Sequence, residues 1–592
     1  MFARSSSRTA ATMSLFAGLA LSAAAPAWGQ VFQRHIDIEN GGQKDFDQWR
    51  TRDGGYVTTG ATSDAAGIED LVVTRFDPDG LVIWQTVYTG RGRDIGYSVQ
   101  ETEEGDFVVA GETDSFGPGL GMLVLRLDAG GSLIWASAIT GTIDADPLHD
   151  PYPGVALDQA PDGTIVIVGS VAPGIVAPLL PPLGPGSILG GLPVINRVAP
   201  DGSFIDSSVI TDLALVNDGR ERFHYNFTDV RIDRSIDPTS SAYDILVSGT
   251  SITSVDPIGN PGGPGAGPVF GERDAMFLRT DSRVLPYFAF RYNTPSRFTG
   301  NPLGAENWGH GLSVDEEGTI VLNGKTDFGS LFGIFPAPAG AAAEFGSELI
   351  ILDPGGAPLD HRRYDHFSPD GLRTVHAPAY AAVEWDVTNP NREPGVIFAG
   401  TDRLHDGSNA FLHRTNLGLS TVFANNYGGR NVTDGESLTL RRCGYGLSGG
   451  FFGIGPFDVG TGVDQYLVKT DDDLKTPCLV QPLEVAEEQG VEPRDLPIIC
   501  VYPQIFERLP DLTRQTDFRE FELCYDPDCG APGPCSPADL APPFGVISNA
   551  DVTAFVAAWF GMDPAADLAP PFGVWSNADV QAFVALFFAG CP

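Results

Sequence analysis

Short apolar runs that end in glycine recur seven times along the chain: "YVTTG" at Gly60, "FVVAG" at Gly111, "IVIVG" at Gly169, "ILVSG" at Gly249, "IVLNG" at Gly324, "VIFAG" at Gly400 and "YGLSG" at Gly449. Each is followed by a second extended run, from "DLVVTRFD" in the first unit to "DQYLVKTD" in the last. A polar turn then leads to a third, as in "FDPDGLVIWQTVYTG", where Asp and Gly supply the conformations a hairpin needs. Ahead of each glycine run lies another extended segment with its own turn, as in "YSVQETEEGDFVVAG". The runs have no helical spacing, so every unit predicts four short antiparallel strands.

Four strands repeated around a chain predict the blades of a β-propeller, and the repeat count gives seven. The seventh unit stops at "DQYLVKTDDDLKTPC" without a fourth strand, while "VFQRHIDIENGG" near the start is a strand without a unit. If the second completes the first, the ring closes with no open edge at the seam. Over residues 31–478 the units resemble secreted bacterial propeller repeats with a "DGGY-apolar-G … D-apolar-K/R-x-D-x-x-G-x-x-x-W" pattern, most closely in the first two.

After Cys478 the pattern is lost, and residues 479–534 read as an acidic, Pro-rich, cysteine-bearing linker. A duplicated sentence follows, "ADLAPPFGVISNADVTAFVAAWF" and "ADLAPPFGVWSNADVQAFVALFF". Apolar residues at Val552, Phe555, Val556, Trp559 and Phe560, and again at Val580, Phe583, Val584, Phe587 and Phe588, keep i, i+3, i+4, i+7, i+8 spacing, one apolar helix face per copy. Phe555, Trp559, Phe583 and Phe587 are expected to form the core between them. Ser548 with Asp551, and Ser576 with Asp579, suit the opening of a capping box. The fold class is therefore mainly β: a seven-bladed propeller over residues 30–478, then a small α-helical module over 535–592.

This loop–helix pair resembles dockerin modules, in the form that ends in Gly-Cys, here "AGCP". The resemblance implies docking onto a cohesin-like or other surface protein, with Ser548, Asn549, Ser576 and Asn577 at the helix starts as contacts. It also implies Ca²⁺ in the loops, with Asp539, Asp551, Asp567 and Asp579 as the candidate ligands. Setting Gly545 and Gly573 at the sixth loop position, however, leaves Pro or Phe at the third and fifth, where a calcium loop needs oxygens. The same acids serve equally as caps of helices and turns.

Charge narrows the partners. Acidic residues outnumber basic ones 76 to 36, a net charge of −40, which repels nucleic acid and anionic lipid. Residues 1–29 carry Arg4 and Arg8, an apolar stretch and small residues before Gln30, the pattern of a secretory signal. No later run is apolar enough to span a membrane, so a secreted, extracellular or cell-surface protein is expected. All seven cysteines lie between 443 and 591, and bridges Cys443–Cys478 and Cys535–Cys591 are expected to staple the closing blade and the duplicated module.

Candidate chemistry is sparse. A basic residue recurs at Arg75, Arg126, Arg197, Arg279, Arg414 and Lys469, read as a repeated blade-to-blade pair with an acidic neighbour. Three long Pro- and Gly-rich loops with Phe328, Phe332 and Phe335 predict an apolar rim for a glycan or protein. His361 and His366 flank Asp365 but point to opposite sides of a strand, and both read as surface histidines. No catalytic motif stands out, and the 76 acids offer no unique pair for glycoside cleavage. The leading expectation is a non-enzymatic binding or scaffold propeller attached through its tail; the alternative is a polysaccharide-degrading enzyme displayed on a cellulosome-like scaffold.

Overall fold

In the computed structural model, the described residues are the strands of 31–526 with their tight turns, and then 538, 540, 549–560, 566, 568–569 and 576–589. The chain divides into two compact units, Trp28–Gly530 and Ala531–Pro592 with Met1–Ala27. Residues 1–29, and with them the expected signal segment, lie outside the described residues.

The first unit is a β-propeller whose strands form seven sheets. In the first sheet Gln43–Arg50, Tyr56–Ser63, Glu69–Phe76 and Val82–Tyr88 follow one another from the axis outward. Inner strands of successive sheets pack on each other, and Gln43–Arg50 also packs on Val432–Leu440 of the last sheet, which closes the ring. Apolar residues on both faces of each sheet fill the spaces between: Val166, Val168 and Ile195 of the third sheet pack on Phe227, Ile245 and Met276 of the fourth. The opening strand Val31–Ile38 lies antiparallel to Asp464–Lys469, with Phe32 opposite Lys469, so N- and C-terminal segments are laced into one sheet.

The recurring glycine has a steric cause. In five sheets the inner strand carries a register shift opposite it, as between Asp45 and Asp47, Gly96 and Ser98, and Phe227 and Asp229. A Cβ at Gly60 would sit 1.8 Å from the Lys44 carbonyl oxygen, and one at Gly111 1.9 Å from that of Ile95. Only glycine lets the bulged inner strand approach so closely.

Residues 480–526 are not a linker, and that expectation is corrected. They run backwards around the outside of the ring and add an outermost strand to every sheet in turn. Val480–Pro482 pairs with the sixth sheet, Glu484–Glu488 with the fifth, Glu492–Asp495 with the fourth and Ile499–Val501 with the third. Phe506–Arg508, Thr513–Gln515 and Phe518–Asp526 then pair with the second, the first and the opening strand Val31–Ile38. Four of these strands begin at residues 492, 499, 506 and 513, a constant step of seven. A seven-residue step can span at most roughly 24 Å, enough for both pairing and passage to the next sheet. Pro482 and Pro493 stand within belt strands, where one side of the backbone needs no partner.

The repeated cations are structural, but not in the way expected. Arg279 is held by Asp233 and Asp244 of its own sheet, both at 2.7 Å, and donates to the Pro354 carbonyl of the next sheet at 2.9 Å. Arg126 repeats this with Asp106 (2.8 Å) and the Pro200 carbonyl (2.9 Å). The acid lies in the same sheet, and for Arg126, Arg197 and Arg279 the neighbouring sheet supplies a carbonyl, whereas Arg75 and Arg414 find theirs within their own sheet.

In the second unit, helices α1 (Asn549–Phe560) and α2 (Asn577–Ala589) form a small helical module. Phe555 stacks on Phe583 at 4.1 Å, and both are buried with Trp559 and Phe587 packed against them. Each apolar stripe nevertheless splits: Val552, Val556, Phe560, Val584 and Phe588 are exposed.

Candidate functional site

The axis is lined by the inner strands, and register fixes which residues share a level. Trp49, Gln100, Asp158, Arg231, Ser313 and Glu384 pair with Val57, Val108, Val166, Leu246, Val321 and Ile397, each three residues before its repeat glycine. Two residues earlier on the inner strand a second level holds Asp47, Ser98, Ala156 and Asp229.

Inner strands have free N–H groups on the axial edge, and these two levels satisfy them from one sheet to the next. Val99 N–H donates to Asp47 Oδ2 (2.9 Å), Leu157 N–H to Ser98 Oγ (3.3 Å) and Leu312 N–H to Asp229 Oδ2 (2.9 Å). In the third sheet Ala156 cannot accept, and Asp158 on the other level takes the Ile232 N–H instead (2.7 Å). In the fifth, Gly311 leaves the task to Ser313, which accepts from Trp385 N–H (3.4 Å). Asp47, Asp158 and Asp229 thus each give one oxygen, Oδ2, to this structural duty.

Glu384 differs. Ser313 Oγ donates to its Oε2 (3.0 Å) and Arg231 Nη2 stands 3.9 Å from its Oε1, while its side chain keeps 30% exposure to the channel. Arg231 Nη1 donates to Asp229 Oδ1 at 2.8 Å, so one guanidinium spans two carboxyls. Their facing oxygens lie at most about 9 Å apart, under the roughly 10 Å upper limit of glycoside-cleaving pairs. Burial raises the Glu384 pKa against the pull of Arg231 and the Ser313 hydrogen bond, with Asp158 and Asp47 pushing the same way as burial. Burial likewise pushes Asp229 up to about 6, against Arg231 and the Leu312 and Val230 N–H groups. Burial opposes the charge of Arg231, but Asp229, Glu384, Asp158 and Asp47 outweigh it and hold its pKa above the ordinary range. The arrangement offers two carboxyls whose protons are held more tightly than usual beside a fixed cation, a setting for acid–base chemistry.

None of these residues was singled out from the sequence, although the rule of glycine minus three would have placed them once the inner strands were paired. Of the expected site residues, Phe328, Phe332, Phe335, Ser548, Asp539 and Asp567 lie outside the described residues, as do Cys443, Cys478, Cys535 and Cys591. Asn549 and Asn577 begin α1 and α2. Ser576 Oγ accepts the Ala578 N–H (3.1 Å) and Asp579 Oδ2 accepts the Ser576 N–H (2.7 Å), a reciprocal cap. That cap, first the Ser576 N–H, lowers the Asp579 pKa. Asp551 and Asp579 are both buried and fasten the preceding loops through the N–H groups of Leu540 (2.7 Å) and Leu568 (3.0 Å). Among the described residues no group of three or more His, Cys, Asp or Glu side chains could hold a metal. His361 and His366 diverge as expected but are buried, not superficial: His361 meets Glu348 (2.7 Å) and His366 meets His413 (2.9 Å).

No protein-family model and no curated protein matches the chain. Among solved structures it is similar to an α-L-arabinofuranosidase from Fusarium graminearum, with 13% identity over 64% of this chain and 93% of that one, at a TM-score of 0.34. It is similar to an ulvan lyase of a polysaccharide lyase family, with 11% identity over 74% and 96%, at a TM-score of 0.39. An α-L-arabinanase from Penicillium chrysogenum gives 11% identity over 63% and 92%, at a TM-score of 0.35. Likeness at this level concerns the fold. The expectation of a non-enzymatic ring is corrected on the axis itself, where one guanidinium stands between two carboxyls with raised pKa values. No helix among the described residues is long and apolar enough to cross a membrane.

Proposed function

We propose that the ring is a polysaccharide-degrading enzyme, a glycoside hydrolase whose acid–base pair is Glu384 and Asp229. The observation that carries this reading is the single guanidinium of Arg231 between two carboxyls in the axial channel. Glu384, the less engaged and more exposed of the two, transfers the proton to or from the glycosidic oxygen. Asp229 is the second carboxyl and fixes Arg231. Arg231 stabilises the charge that Glu384 leaves behind when it gives up its proton.

The signal-like opening and the duplicated tail support an exported enzyme attached to a protein partner, with Ser576, Asn577 and their counterparts Ser548 and Asn549 at the contact. The exposed Phe560 and Phe588, at 74% and 82%, leave further apolar surface in the last turns of the two helices for such a partner.

The test is release of reducing ends from a panel of neutral and acidic polysaccharides, arabinan and ulvan included. Glu384→Gln should lower turnover by about a thousandfold or more while the melting temperature stays within about 2 °C. Full activity in that variant would remove Glu384 from the reaction, and no turnover on any glycan would remove the enzymatic reading.

A further inference from the structure

The turn side of the ring carries a cavity of about 370 Å³ bounded by Trp49, Arg50, Arg52, Glu103, Gln159 and Arg234. It abuts the channel, since Trp49 and Gln100 belong both to its wall and to the axial level of Glu384. We propose that this cavity binds a carboxylate-bearing sugar residue, making acidic glycans the substrate class. The proposal rests on the reading of the channel as a glycan-cleaving site, whose turn-side mouth the cavity forms.

Donors outnumber acceptors in its wall. Gln159 is 4% exposed; its Oε1 accepts the Glu103 N–H at 3.1 Å. An N–H can only donate, so that contact fixes the amide orientation and leaves Nε2 as the free end. Nε2 is buried with no acceptor among the described residues. Three exposed guanidiniums converge on the same space. The Arg50 guanidinium makes no hydrogen bond or ion pair among the described residues. Arg52 spends its guanidinium on the carbonyls of Thr102 (2.9 Å) and Glu103, which carry no net charge. Arg234 donates to the Gln159 carbonyl (2.8 Å) and lies 3.7 Å from Glu103. The one other carboxylate of the wall, Glu101, accepts the Arg52 backbone N–H (2.7 Å).

Three arginines against two glutamates make this wall net positive in a molecule of charge −40. A ligand that only accepts hydrogen bonds and carries negative charge completes it, and guanidiniums match a carboxylate in geometry as well as charge. The half-buried indole of Trp49 supplies an apolar wall for the C–H face of a sugar ring, and the volume suits one such ring.

The full-length protein is titrated with D-galacturonate and, as its uncharged match, D-galactose, by ligand-observed NMR and calorimetry. Saturable galacturonate binding at least tenfold tighter than galactose is expected. Arg50→Ala with Arg234→Ala, both at exposed positions, should weaken it tenfold or more with the circular dichroism and melting temperature unchanged. Gln159→Leu should also weaken it, and Arg50→Lys should retain part of the affinity. Equal binding of the two sugars, or binding untouched by the double arginine variant, would overturn the proposal, and inorganic sulfate binding as tightly as galacturonate would overturn its sugar component. Galacturonate binding without turnover of any polysaccharide would leave the site standing and remove the enzymatic reading. Turnover of neutral glycans without galacturonate binding would do the reverse.

Discussion

The inner and outer rims of the ring solve the same problem by different means. Both are edges with unpaired backbone groups. At the axis, side chains close the edge: Asp47, Ser98, Asp158, Asp229 and Ser313 each take an N–H from the next sheet. At the periphery, backbone closes it, through belt strands of three to nine residues. An edge closed by side chains depends on their identity, and a position released from that duty, as Glu384 is, becomes available for chemistry. An edge closed by main chain tolerates almost any sequence, which is why the belt can be acidic and proline-rich and still pair.

Removing one rim tests the contrast most severely. A chain ending at residue 476 exposes an outer edge on every sheet, whereas one ending at 530 removes only the second unit. The shorter chain should melt more than about 10 °C lower than the longer one and associate through its open edges, as scanning calorimetry and light scattering would show. Equal melting would mean that the belt contributes nothing to stability.

Between the rims the buried cations tie turns to sheets. Arg279→Ala strands Asp233 and Asp244, at 1% and 7% side-chain exposure, without their counter-charge. A loss of about 3–5 kcal/mol is expected, read as a lower denaturant midpoint. A change under about 1 kcal/mol would show that the pair merely balances its own desolvation.

How far the sequence revealed this follows from the same contrast. Sheets buried on both faces leave an apolar-glycine signature that periodicity detects, and the orphan strand at Val31–Ile38 was legible because a unit lacked its fourth strand. The belt was not, because strands as short as Thr513–Gln515 have no alternation to detect, and their prolines imitate a linker. The seven-residue step was the available signal. The axial site was hidden for another reason: Asp229, Arg231 and Glu384 come from two inner strands more than 150 residues apart, and only register brings them together. In the tail, spacing identified the helices, but a stripe of five apolar positions exceeds what two helices alone can bury, so Phe560 and Phe588 remain outside.

A smaller effect probes the inner rim through pH. The Asp229 carboxyl moves from an ordinary value of 3.8 to about 6, so the native state binds a proton more tightly than the unfolded chain does. Its contribution to stability is complete below about pH 4 and is lost as pH rises through 6, on the order of 3 kcal/mol across that window. Arg231, Glu384, Asp158 and Asp47 face the same space and shape the slope. Asp229→Asn carries no such titration, so its melting temperature should gain on the natural protein between pH 4 and 6. Parallel curves would place the titration elsewhere.

The finest test separates structure from chemistry at one hydroxyl. Ser313 accepts the Trp385 N–H and donates to Glu384, so it belongs to the structural set and to the candidate pair at once. Ser313→Ala should cost about 1 kcal/mol through the lost hydrogen bonds. Its hydroxyl is also one of the groups that hold the Glu384 pKa down against burial, so its removal should raise that pKa further. The limb of the pH–rate profile governed by Glu384 should then move to higher pH, while Ser313→Thr, which keeps a hydroxyl, leaves it in place. A lower melting temperature with an unmoved profile would assign Ser313 to the scaffold alone and leave Glu384 tuned by burial and Arg231.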